Sequence, residues 1–308
     1  MEDDKDLAEE VRRLKRERRA VVLAHYYVDG AVQDVADYVG DSYGLAKQAA
    51  ALDCDEIVFA GVRFMGESAK LLSPDKRVLM PAPDAGCPMA AMADVETIDR
   101  VRAAHPGIAV VCYVNSTAAV KAASDVCVTS SNAERIVAAL PQRQIFFTPD
   151  RHLGHYLSEK LPDKEFILNP GFCPIHEAVQ LSEIEEVKRA HPEARVLMHP
   201  ECPQWVLGEA DYVGSTAGII KQAVEGDAPA YLIVTVCGVL HEIEKRTGGQ
   251  GKRFYFPRTR PVCPNMRKVT LRKVRDCLRD GTGEVPLPPA DVCTGARAAL
   301  TRMLDLAR

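Results

Sequence analysis

No apolar run in this 308-residue sequence is long enough to cross a bilayer. The longest run, residues 230–240, falls far below the ~20 residues that span one. The first ten residues are acidic, whereas a secretory signal opens with a basic stretch followed by an apolar one. The sequence therefore predicts a soluble, cytoplasmic protein without a membrane partner.

Concentrated positive charge is missing as well. The formal net charge is −4, and Lys and Arg are dispersed rather than gathered into the basic stripe that holds a nucleic-acid backbone. Three functional motifs are also absent: GxxxxGK[ST], a GxGxxG after a strand, and a complete HExxH. These absences argue against a nucleic-acid partner and against the enzyme classes that those motifs mark.

Cysteine is too scarce for a disulfide scaffold, because ten in 308 residues is well short of the ~8–10% of such chains. In a reducing compartment the remaining uses are core filling, metal binding or catalysis. Proline follows four of the ten, at Cys87, Cys173, Cys202 and Cys263.

The chain carries a threefold internal repeat with a period of about 87 residues. Each copy begins with a charged amphipathic helix and an apolar first strand, and each closes with Cys-Pro. The nine equivalent positions are His25, Tyr113 and His199 at the ends of the first strands; Ser42, Ser130 and Thr216, seventeen residues later; and Cys87, Cys173 and Cys263.

Strands that alternate with helices at this length predict βαβ units with parallel strands. We therefore expect an α/β fold of three pseudo-threefold-related α/β/α sandwich domains with short parallel sheets around a central site. The expected boundaries are residues 1–92, 93–178 and 179–266. Residues 267–308 are predicted to be a helical extension that packs on the first or last copy.

Ligands bind beyond the carboxyl ends of parallel strands, so the repeated polar positions are expected to converge on one cavity. Tyr26, Tyr27, Asn115 and Glu201 lie within two residues of the first-strand ends and are expected to line the same space. An alternative for the three repeated hydroxyls is helix N-capping, which does not exclude anion binding.

Three cysteines around a pseudo-threefold axis favour a [4Fe–4S] cluster over structural zinc, because zinc takes four protein ligands. A cluster held by three thiolates leaves one iron with an open coordination position, which makes that iron a Lewis acid. A lone cysteine is more often a buried inert thiol, and the remaining cysteines keep that interpretation. Cys202 falls outside the repeat and is therefore not expected to be a ligand.

The motif series resembles the quinolinate synthase family. The similarity is collinear from about residue 21 to 268, through VLAHYY, QDVADYVGDS, AGCPM, CYVNSTAAVKAASDVCVTSSNA, NPGFCPIH, HPEC, GSTAGI and RPVCPNM. It implies condensation of iminoaspartate with dihydroxyacetone phosphate to quinolinate, with release of phosphate and water, in NAD biosynthesis. A transient contact with L-aspartate oxidase, which makes the unstable substrate, stays open.

The resemblance also implies roles for individual residues. Cys87, Cys173 and Cys263 would hold the [4Fe–4S] cluster. Catalysis would involve Tyr27 and Glu201 as the leading acid/base pair, together with His199, His25 and Tyr113. The substrate-binding set would be His25, Ser42, Tyr113, Asn115, Ser130, His176, His199, Glu201, Ser215, Thr216 and Met266.

Two positions depart from the family pattern. Val236 and Cys237 stand where an acidic residue is expected after Thr235, and Ala123 stands where Glu is common. Both departures lie outside the set of cluster cysteines and strand-end residues, and they are expected to affect contacts around the site or between domains rather than the chemistry. A cluster-dependent hydro-lyase of other substrate range and a non-enzymatic metal or cluster sensor remain as alternative functions.

Overall fold

The structure is a computed structural model that describes residues 3–248 and 250–308. In this part of the chain it has three four-stranded sheets whose strands are all parallel. This confirms the expected α/β class and fits three related units. The domain boundaries stay predictions; residues 1 and 2 of the first unit and residue 249 of the third lie outside the described residues.

The first unit begins with an amphipathic helix whose Leu7, Val11 and Leu14 recur at helical spacing and form its buried face. Its central strand, Glu56–Ala60, is buried along its whole length, as expected for a strand covered by helices on both faces. The elements are α1 (Asp4–Glu17), β1 (Ala20–His25), α2 (Gly30–Val35), β2 (Tyr38–Gly40), α3 (Ser42–Ala51), β3 (Glu56–Ala60), α4 (Arg63–Leu72), β4 (Arg77–Leu79) and a 3₁₀ turn (Met89–Met92).

The second unit repeats this order. Its central strands are again apolar and buried. Each connecting helix brings the chain back to the end of the sheet where the next parallel strand begins. The elements are α5 (Val95–Ala104), β5 (Ala109–Tyr113), α6 (Ala118–Ala122), β6 (Val126–Val128), α7 (Ala133–Ala139), β7 (Gln144–Thr148), α8 (Arg151–Lys160), β8 (Glu165–Leu168) and α9 (Pro174–Glu177).

The third unit has the same plan, so the chain order 2-1-3-4 holds across each sheet. Two helices follow it. The elements are α10 (Leu181–Ala190), β9 (Ala194–Met198), α11 (Gln204–Leu207), β10 (Tyr212–Val213), α12 (Thr216–Glu225), β11 (Ala230–Val234), α13 (Val239–Thr247), β12 (Arg253–Tyr255), a 3₁₀ turn (Met266–Lys268), α14 (Leu271–Asp280) and α15 (Ala290–Leu306).

Each unit contains one strand and one helix that the sequence analysis did not anticipate. The strands are β2, β6 and β10, and the helices are α2, α6 and α11. They are two to six residues long, too short for a helical or strand period to show in the sequence. They fill the constant spacing between the first strand and the repeated hydroxyl.

An aspartate clasps the first strand of every unit at an equivalent place. Its carboxylate accepts from a main-chain N–H of that strand, and its own N–H donates to the carbonyl of the same strand residue. The carboxylate pairs are Asp37 with Val22 (2.8 Å), Asp125 with Val110 (2.7 Å) and Asp211 with Val196 (2.7 Å). These aspartate clasps reproduce the internal repeat at the level of single hydrogen bonds.

The C-terminal extension is helical, as expected, but its two helices pack differently. Helix α14 lies on α1, α2 and β3 of the first unit. Helix α15 packs mainly on α6, β6 and α7 of the second unit and also on α4 of the first. The expected docking on the first copy therefore holds for part of α15 and omits its main contact, which is with the second copy. Gly295 permits this contact, since a Cβ there would lie 2.7 Å from the Ala122 carbonyl oxygen. Within the described residues, no helix is both long and apolar enough to cross a membrane.

Candidate active site

A cavity of about 170 Å³ lies where the carboxyl ends of the three sheets meet. Residues from all three units line it, as the repeat predicts. The predicted site residues among its walls are His25, Tyr27, Ser42, Cys87, Tyr113, Asn115, Ser130, Cys173, His176, His199, Glu201, Thr216, Cys263 and Met266.

Two residues expected at the site lie elsewhere. Ser215 is not among the lining residues; its hydroxyl accepts the Gly218 N–H and caps α12. Tyr26 packs with Ile219 and Val239 in an apolar cluster of the third unit, so the expectation that Tyr26 lines the cavity is wrong.

The alternative that the repeated hydroxyls cap the helices that follow them is wrong, because another residue occupies each N-cap position. Asp41 and Ser215 cap α3 and α12, which leaves Ser42 and Thr216 as the first helical residues. Ser130 lies two positions before the N-cap of α7. Asp41 and Ser215 each accept one helix amide, and the three residues with the repeated hydroxyls line the cavity.

The three Cys-Pro cysteines share one setting. Cys87, Cys173 and Cys263 each follow the fourth strand of their unit and line the cavity. Burial is the main cause that raises the pKa of all three thiols, and it brings that of Cys87 to about 12. The other seven cysteines, all within the described residues, do not line the cavity.

Cys202, the fourth cysteine that precedes proline, is fully buried in an apolar cluster of the third unit. Its sulfur lies 3.8 Å from the Val234 carbonyl oxygen. Its exclusion from the cavity agrees with the repeat.

Glu201 accepts hydrogen bonds from side chains of the second unit. Tyr113 Oη donates to its Oε1 at 2.7 Å, and His176 Nδ1 lies 2.8 Å from Oε2. Burial alone would raise the pKa of this carboxyl, but the imidazoles of His199 and His176 and the Tyr113 hydroxyl hold that pKa well below its usual value. Glu201 is therefore a carboxylate.

Tyr27 reaches from the first unit into the third. Its Oη lies 2.9 Å from Thr216 Oγ1 and 2.7 Å from Thr235 Oγ1. Thr235 Oγ1 lies 3.0 Å from Nε2 of His176, whose ring also contacts Glu201. Burial, followed by the Glu201 charge, raises the pKa of Tyr27, so its hydroxyl keeps its proton at neutral pH.

His25 and His199 are used identically in the first and third units. Nδ1 of each accepts the main-chain N–H two residues ahead, that of Tyr27 in one case and Glu201 in the other. Burial lowers the pKa of His25 to about 3 and that of His199 to about 4. Both imidazoles are therefore neutral near pH 7, with the proton on Nε2. Nε2 of His199 lies 3.2 Å from Ser130 Oγ.

The hydrogen-bond donors of this cavity are neutral groups. None of the described residues that line it is Lys or Arg. Donors come from the hydroxyls, the neutral imidazoles and the first turns of α3 and α12. Asn115 contributes an amide whose Oδ1 is buried without a hydrogen-bond partner among the described residues.

One group of side chains could hold a single metal ion. Ligand atoms of Cys173, His176 and Glu201 all lie within 4.8 Å of one another. This set includes only one of the three Cys-Pro cysteines.

Several cavity residues were missed. Asp41 lines the wall beside Ser42, and Phe64 and Met65 form an apolar side. Val236 also lines the cavity, although it is neither one of the Cys-Pro cysteines nor one of the strand-end residues. It follows Thr235, directly beyond the end of β11, and that position could have indicated a wall residue.

Comparison with known proteins shows the family of this chain. The family model described as quinolinate synthetase A protein matches residues 9–305. "Quinolinate synthase 2" of Methanosarcina acetivorans is 46% identical over 304 residues, which cover 99% of this chain and 97% of the relative. The "Quinolinate synthase" of Aquifex aeolicus is 44% identical over 310 residues, 99% of this chain and 95% of the relative.

A third relative extends this agreement. The "Quinolinate synthase" of Alkaliphilus metalliredigens is 45% identical over 304 residues, with 99% of both chains covered. Identity at this level over nearly the whole length includes all three units and the cavity between them. This chain therefore belongs to the quinolinate synthase family of enzymes.

Proposed function

We propose that this chain condenses iminoaspartate with dihydroxyacetone phosphate to form quinolinate, in NAD biosynthesis in the cytoplasm. The atoms balance when one phosphate and two water molecules leave. The observation that carries the proposal is the convergence of three equivalent cysteines with a phenol, an amide and a carboxylate on one cavity.

The cofactor of this proposal is a [4Fe–4S] cluster held by Cys87, Cys173 and Cys263. When bound, it would supply an iron with an open coordination position that acts as a Lewis acid. The residues fit such a group. Three thiols from equivalent positions of the three units line one cavity. Burial raises their pKa values, so they would lose their protons when iron binds.

Substrate binding would fall to the neutral donors of the cavity. Ser42, Ser130 and Thr216, with the first-turn amides of α3 and α12, suit carboxylate and phosphate oxygens. His25 and His199 would donate from Nε2. The unpartnered Oδ1 of Asn115 would accept from a substrate N–H or O–H.

Proton transfer would fall to Tyr27 and Glu201. The Tyr27 hydroxyl carries a proton that it can donate, and the Glu201 carboxylate can accept one. The side chains of Thr235 and His176 join the two by consecutive hydrogen bonds. A proton taken up on one side can therefore be replaced from the other without solvent entry.

The remaining residues of the predicted set would act around this pair. Tyr113 orients Glu201 through its 2.7 Å hydrogen bond. Met266 would supply apolar wall, whereas Ser215 would act indirectly by holding the first turn of α12 beside Thr216.

A second candidate is a hydro-lyase of other substrate range that uses a single metal ion, favoured by the close approach of Cys173, His176 and Glu201. Three protein ligands suit a catalytic zinc, but this arrangement leaves Cys87 and Cys263 without a use.

Activity of the anaerobically reconstituted protein separates these candidates. We expect quinolinate from iminoaspartate and dihydroxyacetone phosphate, and no dehydration of simple hydroxy acids. Dehydration without quinolinate formation would favour the hydro-lyase. Iminoaspartate is unstable, so L-aspartate oxidase is proposed as its source through transient contact; turnover that rises with added oxidase beyond the supply of free iminoaspartate would support that contact.

A further inference from the structure

We propose that Gln33 is a positioning residue for Tyr27, because its side-chain amide fixes the Tyr27 main chain against the third unit. The inference rests on the proton-transfer role proposed above for Tyr27. It concerns a residue on α2, which does not line the cavity.

The side-chain amide N–H groups of Gln33 bind the main chain of the residues before and after Tyr27. Nε2 lies 3.1 Å from the carbonyl oxygens of Tyr26 and Val28, the residues before and after Tyr27. It lies at the same distance from the carbonyl oxygen of Gly238, which belongs to the third unit. The two N–H groups of the amide are thus shared among three acceptors, and the hydrogen bond to Gly238 joins the first unit to the third.

The acceptor end of the same side chain contributes nothing comparable. Gln33 is 2% exposed, and its Oε1 has no hydrogen-bond partner among the described residues. A buried acceptor without a partner is costly, so an apolar side chain of this length would satisfy the packing at lower cost. The donor function is what distinguishes glutamine from such a side chain here.

Gly238 shows how close the two units come at this point. A Cβ at Gly238 would lie 2.7 Å from the Tyr26 carbonyl oxygen and 2.8 Å from Tyr27 Cα. Its φ is −57°, so the close approach, not backbone conformation, requires glycine. Gln33 therefore stabilises a direct main-chain contact between Gly238 of the third unit and Tyr26 and Tyr27 of the first. The same third unit binds Tyr27 Oη through the hydroxyls of Thr216 and Thr235.

The second unit places a comparable tether at the equivalent position. Lys121 follows Tyr113 by eight residues, as Gln33 follows His25, and it is fully buried. Its Nζ donates to the Ser116 carbonyl oxygen at 2.6 Å, in the loop that carries Asn115. The third unit has Leu207 at this position, which packs in an apolar cluster. The first and second units thus each have a buried donor that binds main-chain carbonyl oxygens just beyond the first strand, and the third unit has an apolar residue instead.

The test compares three substitutions at Gln33. Gln33→Met keeps the length and removes the donors; Gln33→Glu keeps the shape and puts a second acceptor against three carbonyl oxygens; Gln33→Lys restores donors in the manner of Lys121. We expect Gln33→Met and Gln33→Glu to lower kcat by ~10-fold or more, with KM changed by less than ~3-fold, because misplacement of a catalytic group acts on turnover. Gln33→Lys should recover most of that loss. The matched control is Gln222→Met, at an exposed glutamine of α12, which should behave as the parent.

A double-mutant cycle shows whether Gln33 acts through Tyr27. In a Tyr27→Phe background, Gln33→Met should change kcat by less than ~2-fold, since the group that it positions is already gone. An equal loss in both backgrounds, or parent kcat in Gln33→Met, would overturn the proposal.

Amide hydrogen exchange tests the positioning role of Gln33 independently of activity. In Gln33→Met and Gln33→Glu the peptide that covers residues 26–29 should exchange faster than in the parent, and Gln33→Lys should restore slow exchange. Unchanged exchange in both variants would overturn the positioning role even in a protein that makes quinolinate. Faster exchange in a protein that makes none would support the tether and reject the proposed function.

Discussion

The aspartate clasps and the ring of Tyr27, Asn115 and Glu201 occupy equivalent places in the three units, yet only the clasps are chemically identical. Every clasp is an aspartate that accepts the same main-chain N–H at 2.7 to 2.8 Å. The ring residues each lie two positions beyond the strand-end His or Tyr, and they are a phenol, an amide and a carboxylate. The repeat is kept where it builds the sheet and is broken where groups face the cavity.

This difference separates scaffold from chemistry inside one internally repeated chain. A site that only bound a symmetric ligand would have no need of three different groups around its axis. The three Cys-Pro cysteines follow the scaffold rule, because they are identical and equivalent, but they face the cavity. They are therefore expected to serve a symmetric function, the holding of one cluster.

The largest effect is expected from breaking that symmetric set. Cys87→Ser, Cys173→Ser and Cys263→Ser should each abolish iron retention and quinolinate formation, since each removes one of three thiolates. Cys202→Ser is the matched control, as it also precedes proline but lies in an apolar cluster, and it should retain iron. Loss of iron in Cys202→Ser with retention in Cys87→Ser would reverse the assignment.

Glu201→Gln breaks the ring at its charged member. The amide keeps the shape and much of the hydrogen bonding but cannot accept a proton as the carboxylate does. We expect turnover to fall by ~10²-fold or more, the scale for loss of a general acid or base, with unchanged iron content. Steady-state rates at matched iron content measure this. Parent turnover would leave Tyr27 or His199 as the proton carrier.

Asn115→Ala tests the ring member that can only orient. Removal of its amide should raise KM by roughly 10-fold, about the effect of one lost hydrogen bond to a charged group, and should leave kcat within ~3-fold. Initial rates over a range of substrate concentrations separate the two constants. A fall in kcat as large as that of Glu201→Gln would show that the three ring positions are not functionally distinct.

The smallest effect is expected at the clasps. Asp211→Ala leaves the Val196 N–H without its side-chain partner and should lower the free energy of unfolding by about 1 kcal/mol. Asp227→Ala, at an exposed loop position, is the control and should be neutral. Urea unfolding compares them, and kcat should be the same in both. A kcat loss in Asp211→Ala at full iron content would place the clasp in the chemistry.

Much of this arrangement is visible in the sequence because the repeat preserves spacing. The constant interval from His25 to Ser42 in the first unit, and its counterparts in the others, predicts which positions meet. Elements as short as β10 leave no periodic signal, and for that reason the fourth strand of each sheet was missed.

Contacts between units could not be predicted from the sequence either. Thr235 and Val236 lie at the site because β11 ends there, and Gln33 matters because Gly238 of another unit approaches it. Neither depends on a local pattern. The N-caps were misjudged by one or two positions since Asp41 and Ser215 compete with the hydroxyls beside them.

The central claim is that the Cys-Pro cysteines hold one [4Fe–4S] cluster, and iron, acid-labile sulfide and zinc analysis of the anaerobically purified chain tests it most directly. About four iron and four sulfide per chain are predicted, and both should be lost in Cys263→Ser, which lies outside the group of Cys173, His176 and Glu201. One zinc per chain with no sulfide, retained in Cys263→Ser, would contradict the claim.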